Sequence, residues 1–223
     1  IFTNAIVESV ATVPGDLNED VTYMIVKRIV NGSVRRYVEY FSTYDYGDDI
    51  RDSFFIDSGL TYDGAATTSI TGLNHLEGET VSILADGASH PDKTVSSGAV
   101  TLDRSSSTVQ IGLPYTSFLE TMQLEVPSQE GTSQGKIKRI HDVTVRFFKT
   151  VGAEIGADED DMETLDFRSG NMPMNTAITP FTGDKEVEFR GDYETDAKLI
   201  IRQQQPLPMT VLAIYPRLTS NEG

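Results

Sequence analysis

The 223-residue chain has no cysteine, which excludes disulfides and thiolate metal sites. Basic residues are scarce: 18 Lys and Arg stand against 34 Asp and Glu, a formal net charge of −16. A chain of that sign repels nucleic-acid phosphates and anionic membranes, so sequence-specific nucleic-acid binding is not expected; the same excess of acid serves solubility. No apolar run approaches the ~20 residues of a membrane span, and residues 1–5 show neither the basic cluster nor the long apolar core of a signal peptide. The chain opens at Ile1 and not at Met, which reads as a fragment of a longer protein or a processed product. Three histidines occur, His75, His90 and His141, none with a second histidine at metal-ligand spacing. The H-E-x-x-H, G-x-S-x-G and G-x-G-x-x-G motifs and the phosphate-binding loop are all missing. His75 and His90 therefore read as loop residues, and neither an enzyme nor a cofactor is expected.

What is present is β-structure. Between Asp57 and Tyr115, short β-branched runs (67–70, 80–84, 98–102 and 108–111) alternate with Asp63-Gly64, Glu77-Gly78, Asp86-Gly87 and Ser97-Gly98, each a reversal signal. No window of this stretch carries a helical period. Several short strands at regular spacing imply a small sandwich or barrel.

Upstream, residues 5–13 read as a strand ending at Pro14-Gly15. Residues 21–30 and 34–41 are β-rich runs flanking Asn31-Gly32, which supplies the positive φ angles of a tight type I′ turn, so a hairpin is expected. Tyr23, Ile25 and Lys27 share one face of its first strand, and Met24, Val26 and Arg28 the other. Lys27, Arg28, Arg35 and Arg36 cluster near the turn, as a basic contact patch or a solvated hairpin tip. Residues 42–52 form a loop in which Tyr44, Asp45, Tyr46, Asp48 and Asp49 have the composition of sugar- and calcium-contacting loops, but they fit no calcium-loop template.

Downstream, residues 116–125 are a short helix or an extended segment. Residues 137–151 alternate Ile140, Val143, Val145 and Phe147 with polar Lys138, Asp142, Thr144 and Arg146. Residues 154–166 hold seven acids and no base, a pattern of solvated loops in which Asp158, Asp160 and Asp161 are the weak candidates for holding a cation. Met172-Pro173-Met174 and Thr179-Pro180 mark an irregular excursion. The apolar runs 199–201 and 211–214 read as central strands covered on both faces.

The expected fold is all-β: an antiparallel β-sandwich with a small β-barrel module. Its segments are an N-terminal hairpin (1–52), the barrel (53–127) and a C-terminal sandwich segment (128–223) able to pack with the first as one domain.

Three stretches, TYDG (61–64), ITGLNHLEGETVSILADG (70–87) and VQIGLPY (109–115), resemble a segment of tail proteins of tailed bacteriophages, often likened to the small barrel of ubiquitin-activating enzymes. The flanks YMIVKRIVNGSVRRYVEYF, KRIHDVTVRFFKT, FTGDKEVEF and RQQQPLPMTVLAIYPR are similar to the same family, so the resemblance spans nearly the whole chain. It implies the C-terminal portion of a nozzle, tail-tube or DNA-stabilisation protein. Such a protein is a structural virion component, assembled in the bacterial cytoplasm. It would form a ring through which DNA passes and bind neighbouring tail proteins. Two other classes stay open. One is a glycan- or receptor-binding module using Tyr44 and Tyr46; the other is a polysaccharide depolymerase with two facing carboxylates.

Overall fold

A computed structural model describes residues 5–15, 19–125, 132–168, 170, 172, 176–189 and 191–220. Their regular structure is β-strand, all paired antiparallel, with two short 3-10 turns at Ile50–Asp52 and Asn74–Leu76. The chain divides into two compact units: Ile1–Tyr115 with the returns Pro173–Ala177 and Gln204–Leu207, and the remainder.

The first unit opens with a three-stranded sheet in the order β1 (Ala5–Pro14), β2 (Asp20–Val30), β3 (Ser33–Tyr40). Asn31 and Gly32, at φ 45° and 70°, make the two-residue turn between β2 and β3. Its second sheet runs in the order β4 (Asp57–Thr71), β7 (Ala99–Leu113), β5 (Thr80–Ala85), β6 (Ala88–Thr94). Asp86-Gly87 (φ 49° and 76°) and Ser97-Gly98 (φ 55° and 66°) supply two more tight turns. The Glu77 carboxylate accepts from the Ser97 and Gly98 backbone amides at 2.8 and 2.7 Å, and a Cβ on Gly98 would collide with the Asn74 amide. Inside this sheet Leu73, Leu76, Val81, Ile83, Val109 and Ile111 are fully buried, each worth about 1.5–3 kcal/mol of transfer free energy. The two sheets of the unit are joined by polar ties. The Tyr37 hydroxyl donates to the His75 carbonyl at 2.8 Å, and the Asn31 N–H donates to Glu79 at 2.7 Å.

The second unit is a sandwich. One sheet has the order β12 (Phe181–Glu188), β9 (Lys138–Thr150), β14 (Val211–Ser220); the other β11 (Met162–Leu165), β10 (Ala153–Gly156), β13 (Ile200–Gln203), β8 (Ser117–Glu120). Ile140, Val143, Val145 and Phe147 of the first and Ile155, Leu165 and Ile201 of the second join in one core cluster, as facing sheets do.

Several sequence expectations are corrected. Asp63-Gly64 does not reverse the chain: β4 runs through it, and a register shift between Asp63 and Thr67 takes up the extra residues as a bulge. Residues 99–102 and 108–111 belong to one long strand, β7, not two. The sheet has β4 and β6 as edges, and no β4–β6 ladder closes it into a barrel among the described residues. His90 is not in a loop; it is buried on β6, an edge strand that tolerates the missing N–H of Pro91. Its Nδ1 lies 2.8 Å from the Pro91 carbonyl, while Nε2 accepts from the Asp103 N–H at 2.9 Å. The acidic block is not one loop: β10 and β11 form a hairpin with Ile155 and Leu165 buried, and Glu154 has its base in Arg202 at 2.8 Å. Leu199, Ile200 and Ile201 are covered on both faces, as the apolar run implied. The run 211–214 is not: among the described residues β14 is an edge strand paired to β9 alone, and it turns Leu212 outward. Part of the irregular excursion, residues 173–175, lies outside the described residues.

Candidate interaction surface

The β2–β3 register sorts the four hairpin bases. Opposite residues of an antiparallel ladder point to one face. Lys27 pairs with Arg36, and Arg28 with Arg35, so the bases divide between the two faces. The expected patch is therefore two pairs back to back, and one member is not on the surface at all. Arg28 is 1% exposed. Its Nε and Nη2 donate to the two Glu39 oxygens at 2.7 and 2.8 Å, and Asp57 stands 3.8 Å away. Burial opposes the charge, but hydrogen bonding to Glu39 and the field of Glu39 and Asp57 outweigh it and hold the guanidinium above its ordinary value. On the opposite face Arg36 forks onto Glu8 of β1 at 2.7 and 3.0 Å, which holds Glu8 below the usual carboxylate range. Lys27 is half-buried and Arg35 exposed.

The same register reveals a feature that residue-by-residue reading missed. On the Lys27 face, Tyr23 lies opposite Tyr40, Ile25 opposite Val38 and Ile29 opposite Val34, and all six are exposed. Ile6 and Val13 of β1 extend the row. The signal was in the sequence: β2 is apolar on both faces, and a strand of an open sheet is normally apolar on one.

The tyrosine loop is drawn together around a ring. Tyr44 and Tyr46 stand edge-on to Phe55, with centroids 6.1 and 6.3 Å away. Tyr44 is exposed; Tyr46 is half-buried, and burial first, then the neighbouring Tyr44 and Asp45, raise its phenol above the ordinary value. The acids of this loop serve its own backbone: Asp45 accepts from the Gly47 N–H, and Asp49 from the Arg51 N–H and guanidinium.

At the β10–β11 tip, one Asp158 oxygen accepts from the Asp160 and Asp161 amides, both at 2.9 Å. The carboxylates of Asp158, Asp160 and Asp161 are exposed there, and among the described residues no three His, Cys, Asp or Glu are grouped to hold a metal ion. Beside the tip lies a pocket of about 200 Å³ lined by Ile155, Met162, Phe189, Asp161, Glu163 and Glu188. It is smaller than the ~300 Å³ at which small-molecule sites usually begin. Among the described residues no helix is long and apolar enough to cross a membrane. No protein-family model and no curated protein sequence matches the chain.

Proposed function

We propose that the chain is a structural component of a bacteriophage virion tail, part of a ring-shaped nozzle or tube for DNA passage, bound to neighbouring tail proteins and assembled in the bacterial cytoplasm. The observation that carries this reading is the resemblance of residues 61–64, 70–87 and 109–115, which fall on β4, β5 and β7 and the connections beside them. Supporting it is an all-β architecture with an apolar sheet face left open, a surface suited to assembly rather than to a reaction.

In that role the acidic balance has a purpose. A conduit must not hold phosphate, because each Lys or Arg contact releases counterions and favours sticking. The exposed tip formed by Asp158, Glu159, Asp160 and Asp161 is the group we assign to the DNA side. Gold-labelled antibody against the chain should decorate the tail end of purified particles; particles lacking the chain would overturn the reading. Replacing the four tip acids with Lys should leave assembly intact but slow DNA release, and the defect should shrink as salt rises.

A second reading is favoured by the Tyr44–Phe55–Tyr46 cluster: a glycan-binding module, in which aromatic rings supply the apolar contact for sugar faces. A glycan array with wild type and Tyr44→Ala separates it from the tail reading.

A further inference from the structure

We infer that the outer face of the β1–β2–β3 sheet is a contact between two copies of this chain, packed face to face. The inference rests on the assembly reading for its role in the particle, while the contact itself stands on this face alone.

The first argument is area. Val38 is 73% exposed, Tyr40 63% and Ile29 57%. With Tyr23, Ile25 and Val34, and with Ile6 and Val13 from β1, the eight exposed side chains present roughly 800 Å², interrupted on β2 and β3 by Lys27 and Arg36. The largest patch on a typical monomer is ~300–600 Å², and a standard stable interface covers ~800 Å² per partner.

The second argument is charge. Segment 5–41 carries four bases against five acids, so it is nearly neutral in a chain at −16. On the outer face the charged side chains are Lys27 and the mutually satisfied Arg36–Glu8 pair. Two copies repel each other through the rest of the chain, and this is where that repulsion is weakest. A cationic partner drawn by −16 would find little to hold here. What the face fits is another mainly apolar, ribbed sheet surface of low net charge, and its own duplicate is one.

The third argument is geometry. Two flat faces of alternating β-branched and aromatic side chains interdigitate at the ~10 Å spacing of a β-sandwich. A two-fold axis makes such a contact self-complementary and closed. A β-sandwich across the two-fold would cover the second apolar face of β2, which none of the described residues covers.

The test is sedimentation equilibrium of the full 223-residue chain up to about 100 μM. Wild type should show a concentration-dependent dimer. Val38→Glu, on an exposed position, should weaken the dimer by more than about tenfold, since each copy would then bury an unpaired carboxylate. Val34→Lys is the second variant, so that one misfolded variant does not decide the matter; circular dichroism checks both. Leu212→Glu, on the other three-stranded sheet, should leave the dimer unchanged. Because the chain has no cysteine, a single Ile25→Cys should give an oxidised cross-linked dimer and Leu212→Cys should not. A monomer throughout the range, or a dimer indifferent to Val38→Glu and Val34→Lys, overturns the inference. So does a monomeric chain whose Val38→Glu form fails only to join particles, because the occupant is then another protein and the virion reading survives. A dimer lost in Val38→Glu from a chain never found in particles leaves the contact standing and the virion reading overturned.

Discussion

Strands β2 and β9 are each the centre of a three-stranded antiparallel sheet, and each buries one face: Met24, Val26 and Val30 on β2, Val143, Val145 and Phe147 on β9. Their other faces differ. That of β9 carries Asp142, Thr144 and Arg146. Arg146 forks onto Asp184 of β12 at 2.6 and 2.7 Å and lies over the Tyr215 ring of β14, while Arg217 reaches Glu186 at 3.3 Å. Leu212, Tyr215 and Phe148 are exposed there too, but charged pairs separate them. That of β2 carries Tyr23, Ile25 and Ile29 with Val34, Val38 and Tyr40 across the ladder, interrupted at one level by Lys27 and Arg36. The ion pairs differ as well. The first sheet buries one bidentate pair, Arg28–Glu39, beneath the strand and carries another, Arg36–Glu8, on the outside; the second sheet has its bidentate pair, Arg146–Asp184, on the outside. A sheet that buries an ion pair and shows most of its outer face as large apolar side chains is built to be covered. A sheet that does the reverse is built to face water.

Four measurements break or sharpen this contrast. The largest effect is expected at Arg28. Arg28→Ala leaves Glu39 and Asp57 without their base in a desolvated setting and should lower unfolding free energy by about 3–5 kcal/mol in chemical denaturation. Replacing both members, Arg28→Met with Glu39→Leu, should recover most of it. An unfolding midpoint unchanged in the single variant would remove the pair from the account of how β2 and β3 are held.

Next is Lys138, the buried cation of the second sheet. The alternation of β9 expected it outside, but it lies on the inner face with Ile140; its ammonium donates to the Leu124 carbonyl at 2.9 Å and the Thr195 carbonyl at 3.5 Å. Lys138→Met keeps the stem and deletes the donor, at a cost of about 1–3 kcal/mol. A smaller loss than at Arg28 is required if pairing with carboxylates, rather than burial alone, sets the difference.

Third is acid. At the β5–β6 turn, one Asp86 oxygen accepts from the Ser107 N–H and hydroxyl and the Thr108 N–H, each at 3.0 Å. Burial opposes ionisation of Asp86, but these hydrogen bonds prevail and lower its pKa from 3.8. A carboxyl depressed on folding contributes stability that is complete above its unfolded pKa and is lost as pH falls through the folded one. The gap in melting temperature between wild type and Asp86→Asn should therefore be constant at neutral pH and close below about pH 3.8. A gap that widens in acid would reverse the assignment.

The smallest effect is expected at Arg146. Its pair with Asp184 is in water, so Arg146→Ala should hardly move the denaturation midpoint. The hydrogen bond from Arg146 nonetheless holds the Asp184 carboxyl below 3.8. By carbon-detected titration the variant's Asp184 should return to the ordinary carboxylate value of ~3.9. A large stability loss would show that the outer ladder of the second sheet is structural after all, and the contrast between the two sheets would weaken.

Local chemistry made much of the fold legible in the sequence. Asn31-Gly32, Asp86-Gly87 and Ser97-Gly98 turn where they were expected to, because positive φ angles are decided by a residue and its neighbours. The all-β class followed from short β-branched runs between turn signals, from strand alternation in residues 137–151 and from the lack of a helical period between Asp57 and Tyr115. Asp63-Gly64 failed as a turn because β4 keeps its pairing to β7 on both sides, and long-range hydrogen bonds overrode the local preference. The candidate interaction surface was half legible. The apolar residues on both faces of β2 could be listed from alternation, yet alternation does not say which face is covered. That choice depends on Tyr37 reaching His75 and Arg28 reaching Glu39 and Asp57, contacts between residues 11 to 38 positions apart. Torsional preferences belong to the residue and are written in the sequence. Burial belongs to whatever packs against the residue, and only the tertiary structure decided that the Met24–Val26–Arg28 face turns inward and the Tyr23–Ile25–Lys27 face stays open.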